Sequence, residues 1–304
     1  MANTLKVALD WTPNTNHTGF FVALEKGFYK ELGLEVVLIS PAADQYQSTP
    51  ARRLAAQEVD VAIAPTESII SYYTHPERPV RLKAIATLLQ EDASAIVTLR
   101  SSGISRPAQL EGKVYASFQA KYEDKIVQEM VRSDGGQGAL NIIYPAKLGI
   151  WNTLLSGQAD ASWIFTTWEG VEAEGQGIAL NYFKMQEFGI PYGYSPVLLV
   201  RQEALAAQRR LYQDFLSATK KGFTEAVAAP EEAVEILGKH VPEVQEGRID
   251  LLQSQQRINQ LYGDQRVWGY MDMERCRSFL SWLYQKKLIE TPIAAEELFS
   301  NDLL

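Results

Sequence analysis

Leu54 to Ala62 reads LAAQEVDVA and runs on through IAPTESII to Ile70. A helical segment, Thr49 to Glu58, gives way to the apolar run VDVAIA, which reads as a buried strand, and PTESII then opens the next helix. A near copy, LLSGQADAS, stands at Leu154 to Ser162, with Asp160 in the place of Asp60, 100 positions further on. Each aspartate follows a helix and opens an apolar strand. The repeat predicts two lobes built on one helix-to-strand plan.

Working outward, strand and helix keep alternating. Leu5 to Trp11 is an expected strand ending at Pro13, Gly19 to Lys26 a short helix closed by Gly27, and Leu34 to Ser40 a second strand ending at Pro41. Ala93 to Ile104 reads as a strand into a Ser-Gly turn, and Leu110 to Ser117 as a hairpin or a βα start. A helix over Tyr122 to Arg132 stops at Gly135 and Gly136. From Ala204 the pattern turns helical: Leu211 to Ala228, then PEEAVEILGKHV from Pro230, then Met271 to Leu288. The class this predicts is α/β with a largely parallel sheet, the late helices packing on the first lobe.

At 304 residues the chain is long for one core, and 46% hydrophobic with 22% charged residues is ordinary for a globular protein. The net charge of -8, from 37 acidic and 29 basic residues without a basic run, disfavours nucleic acid and anionic membrane as partners. A small neutral or cationic ligand is easier to accommodate. Cys276 stands alone, and His17, His75 and His240 form no spaced cluster with it, so neither a disulfide nor a metal site is expected. The start MANTLKVALDW lacks a leader pattern. As it stands the chain reads as cytoplasmic, or as periplasmic or cell-surface if a leader has been trimmed. No apolar run approaches the ~20 residues needed to span a bilayer.

Ligands of open α/β sheets sit at the carboxyl ends of strands. Four loops expected there carry aromatic and polar groups: Asp10, Trp11, Asn14 and His17; Thr66, Glu67 and Ser68; Tyr122 and Glu123; Phe165, Trp168 and Glu169. A fifth stretch holds Tyr192, Tyr194 and Ser195. Aromatic faces stack while carboxylates and amides orient, which suits a flat heteroaromatic or amine-bearing ligand. Each residue also has a plainer reading. Trp11 and Trp168 fit a core as well as a cleft, and His17 fits a cap or structural hydrogen bond better than a catalyst. Glu67 and Glu169 suit helix starts for the dipole alone, Tyr192 and Tyr194 suit lobe contacts, and Cys276 reads as a small apolar packer. No G-x-S-x-G, Walker loop, G-x-G-x-x-G after a strand or H-E-x-x-H occurs, and SDGGQG (Ser133 to Gly138) caps a helix.

LDWTPNTNHTGFFVALEKGFYKELGLEV from Leu9, with EVDVAIAPTES and GQADASWIFTTWEG, resembles the NMT1/THI5-like family of thiamine-pyrimidine precursor-binding proteins and thiamine-pyrimidine synthases, over about residues 5 to 225. The resemblance implies the type II periplasmic-binding-protein fold: two α/β lobes joined by two crossovers, with the ligand in the cleft. Residues 1–92 plus 197–304 would form one lobe and 93–196 the other. It also implies that Trp11 packs on a pyrimidine ring, with Asp10, Asn14 and His17 around it; Glu169 and Tyr194 are further partners expected from their position and not from the motif. The expected protein is a monomeric binder of an aminopyrimidine, with an ABC transporter permease as a partner. The synthases hold pyridoxal phosphate on a lysine and consume a histidine. Those positions fall here on Ala64 and Ser68, and PYGYSPVLLV lacks the synthases' cysteine cluster. An alanine cannot form a Schiff base, nor a serine donate an imidazole, so no catalytic residue and no cofactor are expected; a synthase-like enzyme dependent on pyridoxal phosphate and histidine, or an intracellular ligand sensor, is the alternative reading.

Overall fold

The computed structural model describes residues 3–75, 77, 80–145, 149–241 and 247–304. The chain divides into two compact units, Met1–Asp92 with Gly193–Leu280 and Ile293–Leu304, and Ala93–Tyr192 with Ser281–Pro292. Two stretches differ from the expected boundaries, for local reasons. Gly193 to Pro196 stays with the first unit: Arg275 Nη2 donates to the Gly193 carbonyl at 2.9 Å, and a Cβ on Gly193 would lie 2.9 Å from the Phe279 ring. Ser281–Pro292 joins the second through Lys286, whose ammonium meets Glu129 at 2.7 Å.

The first unit is built on the sheet β2-β1-β3-β10-β4 and the second on β7-β6-β8-β5-β9. The strands are β1 Asn3–Ala8, β2 Leu34–Ile39, β3 Val61–Ala64, β4 Leu82–Thr87, β5 Ser94–Leu99, β6 Val114–Ala116, β7 Asn141–Ile143, β8 Ala161–Phe165, β9 Leu180–Phe183 and β10 Val197–Arg201. In each sheet four strands run in one direction and one inserted strand, β10 or β5, runs antiparallel to both its neighbours. The two sheets therefore share one plan. Of the two readings of Leu110 to Ser117, β6 is the βα start, parallel to β7 and β8.

The repeated aspartates hold equivalent places. The Asp60 carboxylate accepts the Lys6 backbone N–H at 2.8 Å while its own N–H donates to the Lys6 carbonyl at 2.9 Å. Asp160 does the same with Val114, at 2.8 Å in both directions. One residue thus closes a two-bond ring onto the neighbouring parallel strand. It sets the registers Val7↔Val61 and Tyr115↔Ala161.

The core of the first unit packs the helix Thr18–Glu25 on the helix Arg209–Ala228. A Cβ on Gly222 would lie 2.0 Å from the Gly19 carbonyl oxygen, so the two backbones touch directly. Around this contact Phe20, Phe215, Phe223, Tyr29, Tyr262 and Trp268 stack or meet edge to face. The second unit buries Val97, Ile150, Trp151, Leu154, Ile164 and Leu180 together. Cys276 is buried and its thiol is pushed up to about 12 by desolvation, in keeping with a packing role. No helix among the described residues is long and apolar enough to cross a membrane.

Removing the carboxylate in Asp160→Ala leaves the Val114 N–H without its acceptor and should cost about 1–3 kcal/mol. Asp160→Asn keeps an acceptor oxygen and should cost less. Urea unfolding of the two variants checks the order.

Candidate functional site

β1 ends at Ala8, earlier than the pattern predicted, and Asp10 to Pro13 bend away. Short polar side chains take over the backbone there. Asn14 caps a single turn of 3₁₀ helix, Thr15–His17: its Oδ1 accepts the Asn16 N–H at 2.8 Å and its Nδ2 donates to the Thr12 carbonyl at 3.0 Å. His17 Nδ1 accepts the Asn14 N–H at 3.2 Å, so the ring proton lies on Nε2, which donates to Asp10 Oδ1 at 2.7 Å. The His17 side chain is 0% exposed and the Asp10 side chain 15%. Both nitrogens of His17 are thus engaged within the loop. Oδ2 of Asp10 carries no hydrogen bond among the described residues, and it can accept one from a ligand.

The loop is clamped from below. Thr15 Oγ1 meets Ser254 Oγ at 2.8 Å, Thr18 Oγ1 donates to Gln255 Oε1 at 2.6 Å, and the Tyr262 hydroxyl donates to the Thr15 carbonyl. These partners lie on and just beyond the helix Leu251–Asn259, which sequence reasoning did not connect with the motif. Asn16, also missed, is buried with its Oδ1 unpartnered among the described residues. Its place between Asn14 and His17 was the available signal.

Trp11 is half-buried and its ring meets that of Tyr46, with centroids 5.2 Å apart and planes at 54°. Tyr46 comes from the loop after β2. Both it and Gln45 adopt left-handed backbone, φ +62° and +56°, which costs a non-glycine residue on the order of 1–2 kcal/mol. A turn over Pro41–Asp44, with Asp44 bound to Arg53 at 2.6 Å, holds them there. Nothing in the sequence marked Tyr46, since neither residue is a glycine or an asparagine.

The loop after β3 buries Glu67 in the first turn of the helix Thr66–Thr74, with Ser68 half-buried beside it. Thr66 Oγ1 donates to the Tyr194 carbonyl, since β10 begins alongside the end of β3 at Val197↔Ala64. Tyr194 is committed to the fold: its hydroxyl accepts the Asp272 N–H at 3.0 Å, and the Arg275 guanidinium lies 4.1 Å from its ring centre. Burial raises its phenol above the usual range. Ala64, which the resemblance sets at the cofactor lysine's place, is a buried methyl group at a strand end. It does not fit pyridoxal phosphate.

In the second unit Tyr122 is buried before the helix Glu123–Ser133, with Lys121 Nζ 5.4 Å from its ring centre. Phe165 is half-buried and its N–H is capped by Glu169 Oε2 at 2.9 Å, while Trp168 is buried. Tyr192 packs on Trp163 at 5.5 Å. Glu123 gathers the Tyr115 hydroxyl at 2.7 Å and the amides of Phe118 and Ala120. Burial nevertheless raises its carboxyl above 4.5. Among the described residues no group of His, Cys, Asp and Glu could hold a metal.

The chain belongs to the NMT1/THI5-like family, whose model matches residues 14–233. It is 25% identical over 310 residues to the formylaminopyrimidine-binding protein of Halalkalibacterium halodurans, covering 98% of this chain and 90% of that one. It is 23% identical over 247 residues to the 4-amino-5-hydroxymethyl-2-methylpyrimidine phosphate synthase of Legionella pneumophila, covering 80% and 76%. The structure of the alkanesulfonate-binding protein SsuA from Xanthomonas axonopodis pv. citri bound to MOPS matches with a TM-score of 0.71 at 12% identity, over 98% of both chains. The fold is thus the α/β periplasmic-binding-protein type.

His17→Ala removes a buried ring and strands the Asn14 amide. A loss of about 2–4 kcal/mol in chemical unfolding is expected. For Glu123, a folded value above the unfolded one means the native state holds the proton more tightly. Its contribution therefore falls as pH rises from about the unfolded value of 4.5 through the raised one. Wild-type stability should fall relative to Glu123→Gln between pH 4 and pH 7, as paired urea titrations would show.

Proposed function

We propose that this chain binds a small nitrogenous heterocycle of the aminopyrimidine type and serves uptake or salvage of a thiamine precursor. The observation that carries the reading is the Asp10 carboxylate, fixed through one oxygen by His17 and placed next in sequence to the indole of Trp11. An aminopyrimidine offers a flat face to stack and amino N–H groups on its edge. An indole and an oriented acceptor match those two features. Glu67 and Ser68, at the end of β3 beside β1, are the flanking polar groups in this reading. The name of the Halalkalibacterium relative supports the same ligand class. Uptake requires a membrane permease of the ABC type as the partner.

A pyrimidine synthase is the reading favoured by the Legionella relative. The alanine at position 64 speaks against it, and no pyridoxal-lysine absorbance band is expected after mixing with pyridoxal phosphate. Calorimetric titration with 4-amino-5-hydroxymethyl-2-methylpyrimidine should give saturable heat. Trp11→Ala should weaken binding by about 1–3 kcal/mol. Saturation by an alkanesulfonate in place of the pyrimidine would overturn the ligand class.

A further inference from the structure

The tilted pair of Trp11 and Tyr46 rests on an uncommon backbone conformation. Tyr46 is 39% exposed, and its backbone and that of Gln45 are held in the left-handed region. The loop is fastened to keep them there. The Tyr46 N–H donates to the Pro41 carbonyl at 2.9 Å, the Gln45 N–H to the Ala42 carbonyl at 3.2 Å, and Asp44 accepts the Ser48 N–H at 3.1 Å while pairing with Arg53. A disfavoured conformation kept by surrounding bonds points to a positional role for the side chain.

That side chain meets the indole of the ligand motif. Because β1 and β2 are adjacent and parallel, the loops that follow them emerge side by side, which brings Tyr46 to Trp11. At 5.2 Å and 54° the phenol ring leans on the indole and does not lie flat against it. A ring tilted at that distance covers part of the indole. A flat molecule stacking on Trp11 has the Tyr46 ring as one limit of the area open to it.

We infer that Tyr46 is a specificity-determining wall that restricts the Trp11 stacking surface to single-ring heteroaromatics and rejects fused two-ring ones. The inference rests on the aminopyrimidine reading and adds the size limit to it. Removing the ring should open the surface sideways. The selectivity between ring sizes should change, and not merely the affinity.

The test is calorimetric titration of wild type, Tyr46→Ala and Tyr46→Phe with 4-amino-5-hydroxymethyl-2-methylpyrimidine and with 4-aminoquinazoline. Wild type should prefer the single ring at least tenfold. Tyr46→Ala should reduce that ratio by tenfold or more, mainly through tighter quinazoline binding, and Tyr46→Phe, which keeps the ring, should restore it. If Tyr46→Ala weakens both probes equally, Tyr46 only props Trp11 and the inference fails while the ligand reading stands. If wild type binds neither probe, the ligand reading itself fails and the inference with it.

Discussion

A carboxylate that accepts a backbone N–H from the strand beside it fixes the frame of both units. Asp60 and Asp160 each begin a strand by bonding twice to one residue of the neighbouring parallel strand, Lys6 or Val114. The inter-strand register then places the ends of β1 and β3, and of β6 and β8, at one edge of each sheet. A one-residue slip would turn every buried side chain of the strand outward. The loops that carry Trp11, Glu67, Tyr122 and Glu169 inherit their places from these two rings.

On the frame of the first unit, the polar surplus after β1 divides into support and display. Asn14, His17, Thr15 and Thr18 satisfy one another and the helix Leu251–Asn259, and their side chains are nearly or wholly out of water. Asp10 and Trp11 are what this apparatus presents. Buried polar groups left unpaired are costly, so a network of this size is stable only because nearly every member is bonded. Its one open atom among the described residues, Oδ1 of Asn16, lies within the same turn.

The α/β class and the doubled plan were legible because they rest on local signals: apolar runs, helix starts and an aspartate repeated in the same context. Strand ends were less so, and β1 stops short of Trp11 because side-chain bonds compete with the ladder. The assignment of Ser281–Pro292 depends on Lys286 meeting Glu129, a pairing of distant residues that no periodicity reports. At the candidate site the motif named residue types but not their duties. His17 and Asn14 bond within the loop, and Tyr194 and Glu169 each also bond a backbone amide, through a hydroxyl and a carboxylate oxygen. Tyr46 escaped notice because its backbone conformation is imposed by the folded loop around it.

The direct backbone contact of Gly19 with Gly222 has a consequence for heredity. Gly19 lies two residues beyond His17; a Cβ there would lie 2.2 Å from the Phe223 ring, and one on Gly222 would lie 2.0 Å from the Gly19 carbonyl oxygen. A methyl group at either position would push the helix bodily and carry the motif with it. Codons far apart in the gene are therefore bound to a shared fate, whereas the loop bearing Tyr46 can drift alone.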